Sequence, residues 1–368
     1  LRDNCPVAHS DAHEEGFWSI TRYHDLETVH QDPVSFSTHP ISMPRIGNPR
    51  PMIPVEADPP LHRGYRRILT DQFSRPSQNA KVETYRAFAV ECIDTFLDRG
   101  ECDLAAELCT PLALRAFADA FGVPDDRQGE MEDIALRVVR LSQEDGGTEQ
   151  TVQDLYAFSS ELIELRREEP RDDVLTRLTQ AELDGKPLTE TEILDYCMVL
   201  LPAGFETTAS SMAYMFLLLC ENPGIQERLS ADHDLIPAAL EEMMRYVTPV
   251  RSMARTVMAD VEINGCPMRR GDRLHMNHVA GNHDPEVFEN PEEIIIDRRP
   301  NRHLGFGMGP HMCLGIHMAR AEMRVAFEET LSRMKSLRLA DPDLVKEEPG
   351  ATWSIASLPI EFDRVEAV

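Results

Sequence analysis

The chain divides by hydrophobic pattern into a long helical middle and two flanks with shorter periods. From Gln78 to Ser230 apolar residues return every three or four positions. The segments 78–98, 103–121, 130–142, 148–169 and 171–181 each carry one apolar face, with Gly or Pro breaks between them. Thr189-Glu190-Thr191-Glu192 has the spacing of a capping box, in which hydroxyl and carboxylate satisfy each other's free amides at a helix start. It predicts a helix running to Asn222-Pro223, roughly 50 Å at 1.5 Å per residue. The apolar part, Met198 to Cys220, has the length of a membrane span. Glu206, Thr207, Thr208, Ser210 and Ser211 interrupt it and no basic flank follows, so a buried central helix is the better reading. After Pro249 the character changes: residues 254–264, 273–280 and 352–363 predict strands around the turn signals Asn264-Gly265 and Arg270-Gly271. Residues 17–20 and 52–55 predict short strand or loop pieces, and Pro33 to Pro54 is proline-rich and irregular. The class expected is mainly α with small β-sheets, α+β.

Composition narrows the field. A hydrophobic share of 42% supports a large core, and a net charge of −27 opposes nonspecific binding to nucleic acid or to an anionic membrane. The 368 residues show no Gly/Ser linker and no repeat, which favours one domain over 1–368. It would be helix-rich at 60–248 and β-richer at 1–57 and 249–300, with a loop and helix at 303–335 and strands at 350–364. The eight cysteines have no paired spacing and no charged-then-apolar leader opens the chain, as expected of reduced thiols in a cytoplasmic protein.

The densest chemistry lies in Phe306-Gly307-Met308-Gly309-Pro310-His311-Met312-Cys313-Leu314-Gly315. Glycine and proline at this density exclude an ordinary helix or central strand, yet Leu314 to Leu331 has helical spacing. Cys313 is therefore expected where a tight loop enters a helix, with free amides and the helix dipole favouring its thiolate. Glycines at 307, 309 and 315 let the backbone approach something flat and bulky. A zinc site from His303, His311, Cys313 and His317 would need a second short ligand cluster, and none of that kind appears. Three further stretches stand out. Asp58-Pro59-Pro60-Leu61-His62-Arg63-Gly64-Tyr65-Arg66-Arg67 starts a helix with His62 and Arg66 on one face. Leu201-Pro202-Ala203-Gly204-Phe205-Glu206-Thr207-Thr208 predicts a kink in the long helix at Pro202 and Gly204. Leu240-Glu241-Glu242-Met243-Met244-Arg245 pairs Glu242 with Arg245 on one helix face.

In this order the motifs resemble the cytochrome P450 family over nearly the whole chain, and Phe306 to Gly315 fills every fixed position of its haem-thiolate signature. The resemblance implies a triangular, helix-rich prism with haem b between the long central helix and the helix after the cysteine loop. It makes Cys313 the axial iron ligand and puts Phe306 beside the sulfur, with Gly307 and Gly315 shaping the loop. It implies propionate contacts for His62, Arg66, Arg255 and His311, and an oxygen-binding groove at Ala203 and Gly204. Glu206 and Thr207 would be the acid–alcohol pair that delivers protons to O2, and raising the acid's pKa by burial suits that task. Glu242 and Arg245 would be structural, completed by Arg298 or Arg299, with Arg299 assigned. His275, His278 and His283 are read as ordinary strand or surface histidines.

The implied activity is insertion of one atom of O2 into a C–H bond of a small hydrophobic substrate, a terpenoid or similar small cyclic compound. Electrons would come from NAD(P)H through a ferredoxin reductase and a [2Fe–2S] ferredoxin docked at Arg63, Arg66, Arg67 and Arg302. The expected pocket lining is Met43, Met52, Val199, Val250, Ser252, Met253, Trp353 and Ile355. Ile41–Val55 has no tyrosine to anchor a ketone, and Arg45 and Arg50 are alternatives for a carboxylate. A peroxide-dependent peroxygenase and a non-catalytic haem-binding sensor are the competing readings. Glu206-Thr207 argues against the first.

Overall fold

The computed structural model describes residues 2–12, 16–43, 50–140, 148–350 and 352–366. Its axis is the helix Glu190–Glu221, 32 residues long. The capping box forms as the sequence implies, with the Glu192 amide donating to the Thr189 hydroxyl at 3.2 Å and the Thr189 amide donating to the Glu192 carboxylate at 2.8 Å. The helix runs unbroken through Pro202. Burial on most sides explains why its residues show no single apolar face: Phe205, Met212, Met215, Phe216 and Leu219 are all enclosed.

The helices Val82–Asp94, Thr110–Phe121, Gln128–Arg140, Thr148–Glu168, Ile236–Val247 and Ile316–Arg333 pack round it. Two segments differ from the periodic reading. Residues 103–121 begin as the strand Glu101–Asp103 and a π-helical turn, Ala105–Cys109, before becoming α-helix. Residues 78–98 are interrupted at Lys81. Pairing of Glu101–Asp103 with the distant strand Pro359–Arg364 explains the first difference, since a tertiary ladder overrides local period.

The β-structure sits at the flanks. A five-stranded sheet runs Val7–Ser10, Phe17–Ile20, Arg273–Asn277, Ser252–Val257, Phe36–Ser37, with Arg255 opposite Leu274. Its own small core joins Ile20, Leu26, Phe36, Val257, Leu274 and Phe288. Lys346–Glu348 and Ser354–Ser357 form a hairpin that packs against the central helix. Among the described residues no helix is long and apolar enough to cross a membrane.

Candidate active site

The loop Phe306–Gly315 is closed by the Cys313 amide, which donates to the Phe306 carbonyl at 2.8 Å. Gly307 and Gly309 have φ of +68° and +69°, where any side chain is strained. A Cβ on Gly309 would lie 2.4 Å from the His30 carbonyl oxygen, so the loop is folded tightly against the helix Tyr23–Gln31. Gly315 meets nothing within 4 Å and has an ordinary backbone, so the protein's own packing does not require glycine there.

Cys313 precedes the closing helix, which starts at Ile316. One side of the residue is open to solvent while protein atoms crowd the rest. Burial pushes the thiol pKa up, and the Gly315 amide, Arg66 and Arg320 pull it down without reversing the shift. The helix end favours the thiolate without by itself outweighing burial. Ionisation requires something more, and metal coordination deprotonates a thiol outright. Among the described residues no three His, Cys, Asp or Glu side chains converge as a metal site, so Cys313 offers a single ligand.

Basic groups gather beside the loop. His62 is buried and its ring lies 3.9 Å from that of His311. The helix Leu61–Thr70 is pinned in place by Tyr65, whose hydroxyl donates to Glu192 at 2.8 Å, and by Tyr196, which donates to the Tyr65 carbonyl at 2.7 Å. Arg255 is 2% exposed, and desolvation lowers its pKa to about 10, partly countered by Asp58. Among the described residues its guanidinium donates only to the Ala254 carbonyl. The His311 Nε2 atom is buried without a partner.

On the central helix, Val199, Ala203 and Thr207 stand four residues apart on one face, within a stretch from 199 to 207 that keeps some exposure. The Thr207 hydroxyl donates to the Ala203 carbonyl at 3.1 Å. Burial raises the Glu206 carboxyl pKa to about 7; the Thr352 hydroxyl beside it lowers it and the charge of Glu348 raises it.

The sequence model of the family described as Cytochrome P450 matches residues 139–361. "Cytochrome P450-terp" of Pseudomonas sp is 33% identical, covering 93% of this chain and 87% of that protein. A "Steroid C26-monooxygenase" of Mycolicibacterium smegmatis is 32% identical over 98% of this chain and 91% of that protein. Among solved structures, CYP108D1 from Novosphingobium aromaticivorans superposes with a TM-score of 0.87 at 29% identity, over 99% of this chain and 93% of that one. The chain is a cytochrome P450.

It is accordingly a monooxygenase whose cofactor is haem b with a cysteine thiolate as axial ligand. The residues of this P450 fit that group. An accessible sulfur, an orphaned imidazole nitrogen and a buried arginine bonded only to a backbone carbonyl are the donor set that an iron porphyrin with two propionates requires.

Several expectations change. At Gly204 a Cβ would lie 2.1 Å from the Phe117 ring, so glycine also lets the central helix pack against Thr110–Phe121. Glu242 is completed by Arg298, not Arg299. The Arg298 Nε donates to both Glu242 oxygens at 3.0 Å, beside Arg245 at 2.8 and 2.9 Å, the Ile295 amide at 2.9 Å and Asn301 at 3.1 Å. Arg299, in the bend that follows, is exposed. Burial raises the Glu242 pKa, but these donors more than offset it and hold the carboxylate below its usual range. His278 is no surface residue: it is 2% exposed and bonds the buried His30, Nε2 to Nε2 at 3.1 Å.

Of the expected pocket residues, Met43, Met52, Val199, Val250, Ser252, Met253 and Trp353 are partly exposed, whereas Ile355 is buried in the helical core. Arg50 is committed to Asp195, with Nη2 to Oδ1 at 2.8 Å, and Arg45 lies outside the described residues. Glu56 accepts from the Ile41 and Met52 amides at 2.8 Å and so ties the two ends of that stretch together.

Sequence reasoning missed a second network. Glu241 accepts from Arg320 at 2.7 Å and bonds His303 at 3.1 Å, and Arg320 stacks over Phe306 at 5.2 Å. Burial raises the Glu241 pKa, but His303 and Arg320 outweigh it and bring it to about 2. The signal was a second acid beside Glu242, one helix position round. Two clefts, of about 450 and 500 Å³, are not lined by Cys313: one lies along Arg67, Arg171 and Arg177, the other along Arg75, Glu241 and Arg320.

Proposed function

We propose that this P450 hydroxylates a small, mainly hydrophobic substrate of terpenoid size, with electrons from NAD(P)H through a ferredoxin reductase and a [2Fe–2S] ferredoxin. Bound haem supplies the activation of O2 and the oxidation of the C–H bond. Cys313 ligates it, and His62, Arg66, Arg255 and His311 hold the propionates with hydrogen bonds. Phe306, with Arg320 stacked over its ring, would pack beside the sulfur. Val199, Ala203 and Thr207 present a narrow, largely apolar strip to the substrate.

The observation that carries the reading is the Glu206 carboxyl, buried beside the Thr352 hydroxyl one residue before Thr207. A carboxyl titrating at about 7 both holds and releases a proton near neutrality, the best position for a relay. An enzyme using peroxide does not need such a pair. The relatives named for a terpene and for a steroid support a compact apolar skeleton. Exposed Arg63, Arg67 and Arg302 give this acidic chain a local basic dock for an acidic ferredoxin.

The test is NADH consumption with ferredoxin and its reductase across a terpenoid panel, against a parallel assay driven by hydrogen peroxide. Glu206→Gln should keep substrate binding while cutting product per NADH several-fold, as loss of one general acid does. Equal product per NADH in Glu206→Gln, or faster turnover with peroxide than with NADH, refutes the relay.

A further inference from the structure

One cation on the substrate side is left over by the site described above. Arg251 follows Val250, and its carbonyl accepts from the His278 amide at 2.9 Å, which extends the pairing of Ser252–Val257 with Arg273–Asn277 back by one residue. Side chains alternate along such a chain, so Arg251 and Arg255 share a face, four residues or roughly 13 Å apart. Arg255 marks the propionate corner. Arg251 is displaced from it along the strand, at the Lys346–Glu348/Ser354–Ser357 hairpin.

There the Arg251 guanidinium lies 3.5 Å from the ring centroid of Trp353. The indole is itself fixed, because the Trp353 amide donates to the Pro249 carbonyl at 3.0 Å. The Arg251 Nε is buried with no hydrogen-bond partner, and among the described residues no carboxylate forms an ion pair with Arg251. The Tyr214 hydroxyl donates to Glu347 at 3.1 Å and also accepts from the Arg251 side chain. Burying a guanidinium nitrogen without an acceptor is costly, and an aromatic face recovers part of that cost. Stacking uses the flat face of the guanidinium; part of its edge reaches the Tyr214 hydroxyl, while the Nε side has no partner and can face the oxygens of a carboxylate. Of the arginines considered for this task from sequence, Arg50 is already paired with Asp195.

We propose that Arg251, held flat on Trp353, is the specificity-determining residue that receives a carboxylate of the substrate, so that the preferred substrates are hydrophobic acids. This rests on the monooxygenase reading above, in which Val250 to Met253 and Trp353 line the substrate side. It explains why a cation stands in an otherwise apolar lining, and why a second ring is spent on holding it still.

The experiment titrates the haem-loaded protein with perillic acid and with 4-isopropylbenzoic acid, each beside its methyl ester, at neutral pH, reading the Soret shift on binding. The wild type should bind each acid about 10- to 100-fold more tightly than its ester, the span of a hydrogen bond to a charged group. Arg251→Gln should abolish that preference and leave ester affinity within about threefold. Arg251→Lys keeps charge without the planar fork and should retain a preference several-fold weaker; it serves as the readout should the glutamine variant fail to load haem. No acid preference in the wild type overturns the proposal. So does a glutamine variant that weakens acid and ester alike, the behaviour of a mere pin between Tyr214 and Trp353, or a lysine variant with undiminished preference. Spectra of the same samples, reduced under carbon monoxide, separate the two readings: absence of the long-wavelength Soret band sinks the haem-thiolate site. A normal band with no acid preference sinks the carboxylate anchor alone.

Discussion

Replacing Arg298 by leucine tests the network at the arginine that completes it in place of Arg299. The side chain is 7% exposed, its Nε donates to both oxygens of a fully buried Glu242, and its Nη1 donates to the Glu289 carbonyl at 2.5 Å. Removing one partner of a buried ion pair costs about 3–5 kcal/mol when the other charge is left uncompensated. Here Arg245, the Ile295 amide and Asn301 stay on Glu242, so the loss should fall at the lower end, about 3 kcal/mol. Arg299→Leu, at an exposed position with no bond to Glu242, should change stability by no more than about 0.5 kcal/mol. The assay is urea unfolding of the haem-loaded variants, with midpoints compared at equal slope. Far-UV dichroism and Soret absorbance are both recorded, because a bound cofactor can split the transition. A leucine at 298 that leaves the midpoint unmoved, or one at 299 that lowers it equally, refutes the reasoning.

Other outcomes follow from single side chains. Both oxygens of Glu322 are buried without a partner, and desolvation pushes its pKa well above the ordinary 4.5. The stability this contributes is full below that ordinary value and is lost as pH rises through the raised folded-state value, so Glu322→Gln should gain on the wild type as pH rises above the ordinary 4.5; a constant difference in urea midpoints would sink this. Gly204→Ala puts a methyl 2.1 Å from the Phe117 ring and should cost about 1–3 kcal/mol, partly restored by Phe117→Leu; a fully stable single variant contradicts the packing role. Charge reversal at Arg63 or Arg67 should slow reduction by ferredoxin several-fold at low salt and less at high salt, measured by stopped flow, and an unchanged rate removes the basic dock.

The elements legible along the chain were those held by local rules. The capping box at Thr189 opens its helix where the spacing says, because hydroxyl, acid and amide lie within one turn. The glycines at 307 and 309 announce a tight turn because positive φ excludes other residues. Where two local rules competed, the nearest neighbours did not decide. Pro202 and Gly204 disfavour helix locally, yet the helix continues through them as the capping box and apolar run imply, packed by Phe205, Met212 and Phe216 farther along.

By itself the sequence determined the class of the protein, the order of its helices and the loop that carries Cys313, since spacing along the chain is enough for each. Which arginine reaches Glu242, whether Gly204 serves a ring or a helix, that His30 meets His278, and that Arg251 lies on Trp353 were decided only by tertiary structure. Those pairs are separated by dozens to hundreds of residues, and which of two neighbouring side chains turns inward depends on packing that no local pattern encodes.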